Sequence, residues 1–312
     1  MIPFFSIVIP LYNKENEIVR TLTSVLEQTF QDFEVIIVND GSNDNSLLKS
    51  KSIRDERITI YSIENKGVSY ARNLGIEKAK ADYIAFLDAD DIWYDHHLED
   101  LKKLIRDFPN CGMYCKAYEK DYFGKHTVKA KFNKLPENFR GIVPNYFENS
   151  LIDPIAWTSA LAIPKTLLEQ KGGFDQNIHS GQDTDLWISI ALEEKIAFSS
   201  KISSTRIFGA NYHLSKSKKL LDRQKIFEKF TVEETINESL KKYMDYNRFS
   251  FAIQQKAKGN YNTYIQIMDK VDKKNLNLKR RVLGYFPSTI LRQTKIVQNY
   301  MVKKGYYLSA FR

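Results

Sequence analysis

Apolar and polar positions along the first hundred residues recur with two different periods. "FSIVIP" (5–10) is a short apolar run stopped by Pro10, and it predicts a buried strand. Asn13 is placed to cap a following helix whose apolar positions Ile18, Leu22 and Val25 or Leu26 recur at helical spacing. "EVIIVND" (34–40) predicts a second buried strand, closed by the turn chemistry of "DGSNDNS" (40–46). "ITIYSI" (58–63) predicts a third, after which Ser69 is placed to cap a helix through "YARNLGIEKAKA". "DYIAFLD" (82–88) predicts a fourth, followed by a helix at about 95–107. Strands alternating with helices of this length imply an α/β fold with a mostly parallel sheet.

The middle of the chain is less regular. "PENFRGIVPN" (136–145) reads as a loop, "PIAWTSALAIP" (154–164) as a strand, and "GGFDQNIHSGQDTDLWISIALEE" as a turn, a loop and a helix. From about Leu220 the pattern is helical, with mixed charge and many Tyr and Phe. A boundary near 215–220 follows. It separates an N-terminal α/β domain over 1–217, in halves of about 1–110 and 111–217, from a helical basic region over 218–312.

Ligands of open α/β sheets bind beyond the carboxyl ends of the strands. The conspicuous polar clusters fall there: Tyr12–Glu15 after the first strand, Asp40–Asp44 after the second, Asp88–Asp91 after the fourth. That edge is the candidate site.

Asp88, Asp90 and Asp91 repel one another unless a cation sits among them. Two aspartates one residue apart at a strand end can hold a hard divalent ion against a diphosphate, and the ion offsets the charge that builds on a departing phosphate. Turn chemistry or capping accounts for one such residue, and Asp91 fits that alone; three together favour a metal. Asp40 can accept from a nucleobase N–H or a ribose hydroxyl, or simply open an Asp-Gly turn. "ENKGVSYARN" offers Gly67 for close backbone approach, a helix start and Arg72 one turn in, which suits phosphate, or a solvated helix with a surface arginine. Asp183 and Asp185 lie in the first turn of a helix. Either the dipole favours them there, or one is a general base toward a hydroxyl nucleophile, and periodicity does not decide. His96 and His97 read as a polar helix start and His126 and His179 as loop residues, while His213 is a candidate metal ligand or phosphate contact.

Composition narrows the picture. A hydrophobic content of 43% over 312 residues indicates a globular chain, and no apolar run approaches a spanning helix. "MIPFFSIVIPLYN" lacks a basic start and a small-residue cleavage site, so it reads as a first strand and not a signal peptide. Two cysteines, Cys111 and Cys115, make no disulfide framework; they read as packing residues in a reducing cytosol. The net charge of +9 is uneven: residues 270–312 carry eleven Lys/Arg against Asp272 alone, so the remainder is close to neutral.

"SIVIPLYNKENEI", "VIIVNDGSNDNS", "NKGVSYARNLGIEKAKADYIAFLDADD" and "GGFDQNIHSGQDTDLW" together resemble a family 2 glycosyltransferase of the GT-A fold, in order, over about residues 4 to 217. The resemblance implies an inverting transferase that moves a sugar from a nucleotide diphosphate to an acceptor hydroxyl, with no protein nucleophile. It implies that Pro10, Tyr12 and Glu15 form the first nucleotide-contact segment, that Asp40 reads the base, and that Arg72 belongs to the nucleotide pocket. Asp88 would face the ribose and metal-bound waters, Asp90 would ligate Mn²⁺ or Mg²⁺, Asp183 would be the base, and His213 would complete the metal and diphosphate site. The sequence departs from the family at Gln182, where Glu usually precedes the base, and at Asn39, where many relatives have Asp. UDP is the expected nucleotide, with GDP and dTDP as alternatives. The acceptor is expected to be a glycan or lipid-linked glycan of surface polysaccharide assembly, bound near Trp157 and Gln182.

Two rivals follow from the same residues. A sugar nucleotidyltransferase should carry a glycine-rich, lysine-containing loop after the first strand, and "PLYNKENE" has no glycine. A nucleotide-sugar-binding protein without turnover would have Gln182 as its lesion. The basic tail, rich in Leu, Ile, Val, Tyr and Phe, suits either the anionic inner face of the cell membrane or a packed appendage with a solvated basic face; nucleic acid is not expected beside a sugar-transfer site.

Overall fold

The computed structural model describes residues 2–208 and 222–304. Their strands join in one ten-stranded mixed sheet of order β3-β2-β1-β4-β9-β6-β10-β5, with β7 beside β6 and β8 beside β10. Its first half is wholly parallel: β1 (Phe5–Leu11), β2 (Phe33–Asp40), β3 (Ile58–Ile63) and β4 (Tyr83–Phe86). Antiparallel β9 (Leu161–Pro164) then links β4 to β6 (Met113–Tyr122). Beyond β6 run parallel β10 (Ile196–Phe208) and the short β5 (Ile92–Trp93), β7 (His126–Lys129) and β8 (Arg140–Ile142).

The four expected strands and their following helices form, with α1 at Ile18–Leu26, α2 at Ser46–Ser52, α3 at Val68–Lys78 and α4 at His97–Asp107. Parallel strands must be covered on both faces, and side-chain alternation does this. Ile7, Ile9 and Leu11 of β1 pack with Leu22, Val25, Leu98 and Leu101 of α1 and α4. Val8, Ile36, Val38 and Phe86 face Ala71 and Ile76 of α3. Gly75 lets α3 lie close: a Cβ there would fall 2.3 Å from Val8 Cγ1.

Both expected helix caps are corrected. Asn13 sits in the left-handed region (φ 51°), four residues before the N-cap Glu17, and its Oδ1 accepts from Asn43 N at 2.9 Å. The α3 cap is Gly67 at φ 92°, and Ser69 lies inside the helix. The backbone entering the helix is held by Asp40, which accepts from Lys66 N at 2.7 Å and Gly67 N at 2.9 Å. The expected loop 136–145 contains β8, and the expected strand 154–164 holds a 3₁₀ turn, Thr158–Ala160, before β9. His97 is buried: it stacks on Trp93 at 4.3 Å and its Nδ1 meets Ser203 Oγ at 2.8 Å, so it is no part of a polar helix start.

The remaining helices are α5 (Tyr146–Asn149), α6 (Lys165–Gln170), α7 (Gln182–Ala191), α8 (Arg223–Lys229), α9 (Glu233–Ile236), α10 (Glu238–Lys258), α11 (Tyr261–Met268), α12 (Leu278–Tyr285) and α13 (Ser288–Lys303). Ile226, Phe227, Tyr243, Met244 and Phe251 of α8 and α10 join the same buried cluster as Val8, Phe86, Phe174 and Trp187. The C-terminal helices thus share a core with the sheet. Arg248, buried in α10, holds Glu234 at 2.6 Å and completes that contact. The expected boundary at 215–220 lies outside the described residues.

Candidate active site

The three aspartates that end β4 separate into three environments. Asp88 Oδ1 accepts from Arg72 Nη2 at 2.7 Å, and Asp90 Oδ2 accepts from Lys14 Nζ at 2.5 Å. Asp91 turns inward, where its carboxylate takes Ser159 Oγ at 2.7 Å and Ile207 N at 3.1 Å. Burial pushes the Asp91 carboxyl well above the ordinary range, and the Asp90 and Asp88 charges push the same way. Asp91 is therefore a pin between the strand end and the end of β10, while Asp88 and Asp90 stay partly open to solvent.

Arg72 reaches Asp88 because Gly75 lets α3 settle on β1. Its guanidinium lies 5.1 Å from the Phe174 ring, the residue is 4% exposed, and among the described residues Nε and Nη1 have no hydrogen-bond partner. Phe174 itself is fixed by Asn73, whose side chain accepts from Phe174 N and donates to Phe174 O, both at 2.8 Å.

Around this pair the β1–α1 and β2–α2 loops are laced together. Lys14 N donates to Ser46 Oγ at 2.6 Å and Glu15 N to Asp44 Oδ2 at 3.1 Å. One oxygen of the Glu15 carboxylate, Oε2, takes Asn45 N and Nδ2 at 3.1 and 2.8 Å, which ties the side chain to the loop. Pro10 pairs opposite Val38 one residue before the β1 pairing ends at Leu11, and Tyr12 just beyond is 46% exposed. Asp40, 4% exposed, holds the start of α3 in the manner described, and Asn39 meets Ser62 and Ser42 at 3.4 and 3.3 Å.

Asp183 and Asp185 part company on α7. Asp185 is buried and ion-paired to Lys229 at 2.7 Å; burial raises its pKa against the lowering effect of that lysine. Asp183 is half-buried and accepts from Thr184 N at 2.7 Å. Its charge adds to the burial that lifts Tyr146 and takes Tyr243 to about 12. Tyr243 comes from α10, so the C-terminal helices wall this end of the site. Gln182 Oε1 is buried and, among the described residues, has no hydrogen-bond partner. Trp157 is 6% exposed and packs against Tyr118 at 4.6 Å, as part of the protein wall.

The structure therefore brings Arg72, Asp88 and Asp90 together with Lys14 at the carboxyl edge of the sheet. Phe174 connects them to α7, since its ring meets both Phe86, at 5.3 Å, and Trp187, at 5.8 Å. His213 lies outside the described residues. Lys14, Ser159, Phe174 and Tyr243 were not among the expected site residues. Lys14 carried a signal, being a lone cation in the first polar cluster; the other three look like ordinary core positions.

Among the described residues, no three His, Cys, Asp or Glu side chains gather as a metal group. Asp88 and Asp90 nonetheless supply hard carboxylate oxygens on one open edge, a donor set that suits Mg²⁺ or Mn²⁺ sharing its other positions with phosphate and water.

Residues 6–163 match the family model described as Glycosyl transferase family 2. The chain belongs to that family. It is similar to an uncharacterized glycosyltransferase of Rickettsia felis, 35% identical over 210 residues, covering 65% of this chain and 33% of that protein. Glycosyltransferase GlyG of Streptococcus pneumoniae is 36% identical over 110 residues, covering 34% of this chain and 36% of GlyG. The chain thus spans about a third of the length of the curated relatives it matches. Among solved structures, S. aureus TarS 1–349 in complex with UDP-GlcNAc shares the fold at a TM-score of 0.69 and 18% identity, over 98% of this chain and 93% of that one. This family member has the GT-A architecture, followed by a helical C-terminal region.

Proposed function

We propose that this chain transfers a sugar, with inversion, from a nucleotide-diphosphate sugar to an acceptor hydroxyl. The observation that carries the reading is the placement of Arg72, Asp88 and Asp90 on one sheet edge, where such folds receive nucleotides. Arg72 positions Asp88, and Tyr12 offers an exposed ring at the mouth. Asp183 takes the proton of the acceptor hydroxyl as that oxygen attacks and the diphosphate leaves, which needs no protein nucleophile. Asp90, with Asp88, would hold Mn²⁺ or Mg²⁺, whose charge would offset that of the departing diphosphate. A UDP-sugar is the favoured donor, because TarS of the same fold is solved with UDP-GlcNAc and with UDP.

The acceptor is a glycan or lipid-linked glycan in surface polysaccharide assembly, met at the Asp183 end. Among the described residues no helix is long and apolar enough to cross a membrane. Contact with an anionic membrane surface would run through α12, where Leu278, Val282 and Tyr285 (76, 47 and 83% exposed) follow helical spacing beside Lys279 and beside Lys273 and Lys274 in the turn that precedes it.

The test is calorimetric titration with UDP, GDP and dTDP, each with and without Mn²⁺. Tight, metal-dependent binding of one nucleotide supports the reading and reduces donor screening to a few sugars. No metal-dependent binding of any nucleotide overturns it.

A further inference from the structure

We propose that Lys14 competes with the divalent ion for Asp90, so that metal entry is conditional on nucleotide. The inference rests on the reading of Asp90 as a metal ligand. The Lys14 ammonium lies 2.5 Å from Asp90 Oδ2, with its side chain 36% exposed. The start of its stem is fixed: Lys14 N is held by Ser46 Oγ at 2.6 Å, and Ser46 N by Asp44 Oδ1 at 2.9 Å. The neighbouring Glu15 is tied into the β2–α2 loop through Asn45 and through Lys49 Nζ, which donates to Glu15 O at 2.9 Å. The lysine is therefore aimed at Asp90 by two loops.

Charge counting gives the consequence. Asp88 and Asp90 each have a cation of their own, Arg72 and Lys14, so the pair is neutralised before any ion arrives. A dication entering alone must take Asp90 from Lys14 and leave the ammonium beside a double positive charge, with like charges repelling at close range. A nucleoside diphosphate brings the negative charge that gives the displaced ammonium a new partner. Metal and nucleotide then bind with positive coupling, and removal of the lysine's charge removes most of it.

The experiment is Mn²⁺ binding to the full chain, followed by the paramagnetic signal of free Mn²⁺, with and without UDP. Wild type should bind Mn²⁺ weakly alone and at least about tenfold more tightly with UDP. Lys14→Met should bind Mn²⁺ alone about tenfold more tightly than wild type and lose most of the UDP effect. Lys14→Arg, which keeps the charge, should behave as wild type, and Asp90→Asn should abolish binding in both conditions. Equal solo affinity and equal coupling in Lys14→Met and wild type would overturn the competition while leaving the metal reading intact. UDP binding with no Mn²⁺ binding in any variant would overturn both.

Discussion

Ser159 donates its hydroxyl to Asp91 at 2.7 Å while accepting Asp88 N at 3.1 Å, so one side chain fixes both ends of the aspartate triplet. The same carboxylate also takes Ile207 N, near the end of β10. Removing a buried hydrogen-bond partner leaves the other group unsatisfied, at about 1–3 kcal/mol. Ser159→Ala should lower the urea unfolding free energy by that amount and weaken nucleotide binding several-fold, because Asp88 loses its backbone anchor. A stable variant with unchanged nucleotide affinity would remove Ser159 from the site.

Arg72 is the second support of the same pair. Its fork lies between the Asp88 carboxylate and the Phe174 ring, a geometry that a lysine point charge does not reproduce. Arg72→Lys should therefore weaken UDP binding about tenfold or more, roughly the worth of one charge-assisted hydrogen bond. Titration calorimetry reads this directly. Retained affinity would show that the nucleotide does not use this corner.

The parallel half of the fold was legible because β1, β2 and β4 are continuous apolar runs that end in polar clusters. The mixed half was not. β6 carries Lys116, Glu119 and Lys120, and β10 carries Ser199, Ser200, Lys201 and Arg206, so neither shows an apolar run. They are strands because of their mutual pairing, which periodicity does not report. Asp88 and Asp90 were legible as a charge problem, yet the protein's own answer, Arg72 and Lys14, came from residues 16 and 76 positions away. The α3 cap failed for a related reason: Asp40 on a neighbouring strand holds Lys66 N and Gly67 N, so the helix cap falls two residues before Ser69.

Asp183 should separate binding from chemistry. It is half-buried and, among the described residues, its partner is its own first turn, while Asp185 is committed to Lys229. Asp183→Asn should cut sugar transfer by about 10²–10⁴-fold, the range for losing a general base, with UDP affinity unchanged. Transfer at the wild-type rate would return Asp183 to the helix dipole.

Membrane contact has its own signature. Each Lys or Arg near an anionic surface is worth about 1 kcal/mol, and salt screens it within roughly 8 Å at physiological strength. Co-sedimentation with phosphatidylglycerol vesicles should exceed that with phosphatidylcholine and fall with salt. Lys273→Glu with Lys274→Glu should weaken it more than tenfold. Equal sedimentation with both lipids would leave the basic face as a solvated appendage.

Lys116 sets the pH dependence of stability. It is 1% exposed in β6, and burial pulls its amine down to about 8 despite Asp100 at 3.1 Å, which pulls it up. An amine whose folded pKa lies below its unfolded value of 10.5 sheds its proton first in the folded state. Between about pH 8 and 10.5 the unfolded chain therefore holds more protons, and this group's contribution to stability rises with pH. Below that window the buried charge is a standing penalty. Lys116→Met removes the penalty, and Asp100 retains Lys201 at 3.0 Å. The difference in urea unfolding free energy, wild type minus Lys116→Met, should therefore grow by roughly 2–3 kcal/mol from pH 7.5 to pH 10. A flat difference across that range would mean that Lys116 keeps its proton in the folded protein as readily as in water, and that its contact with Asp100 fully compensates its burial.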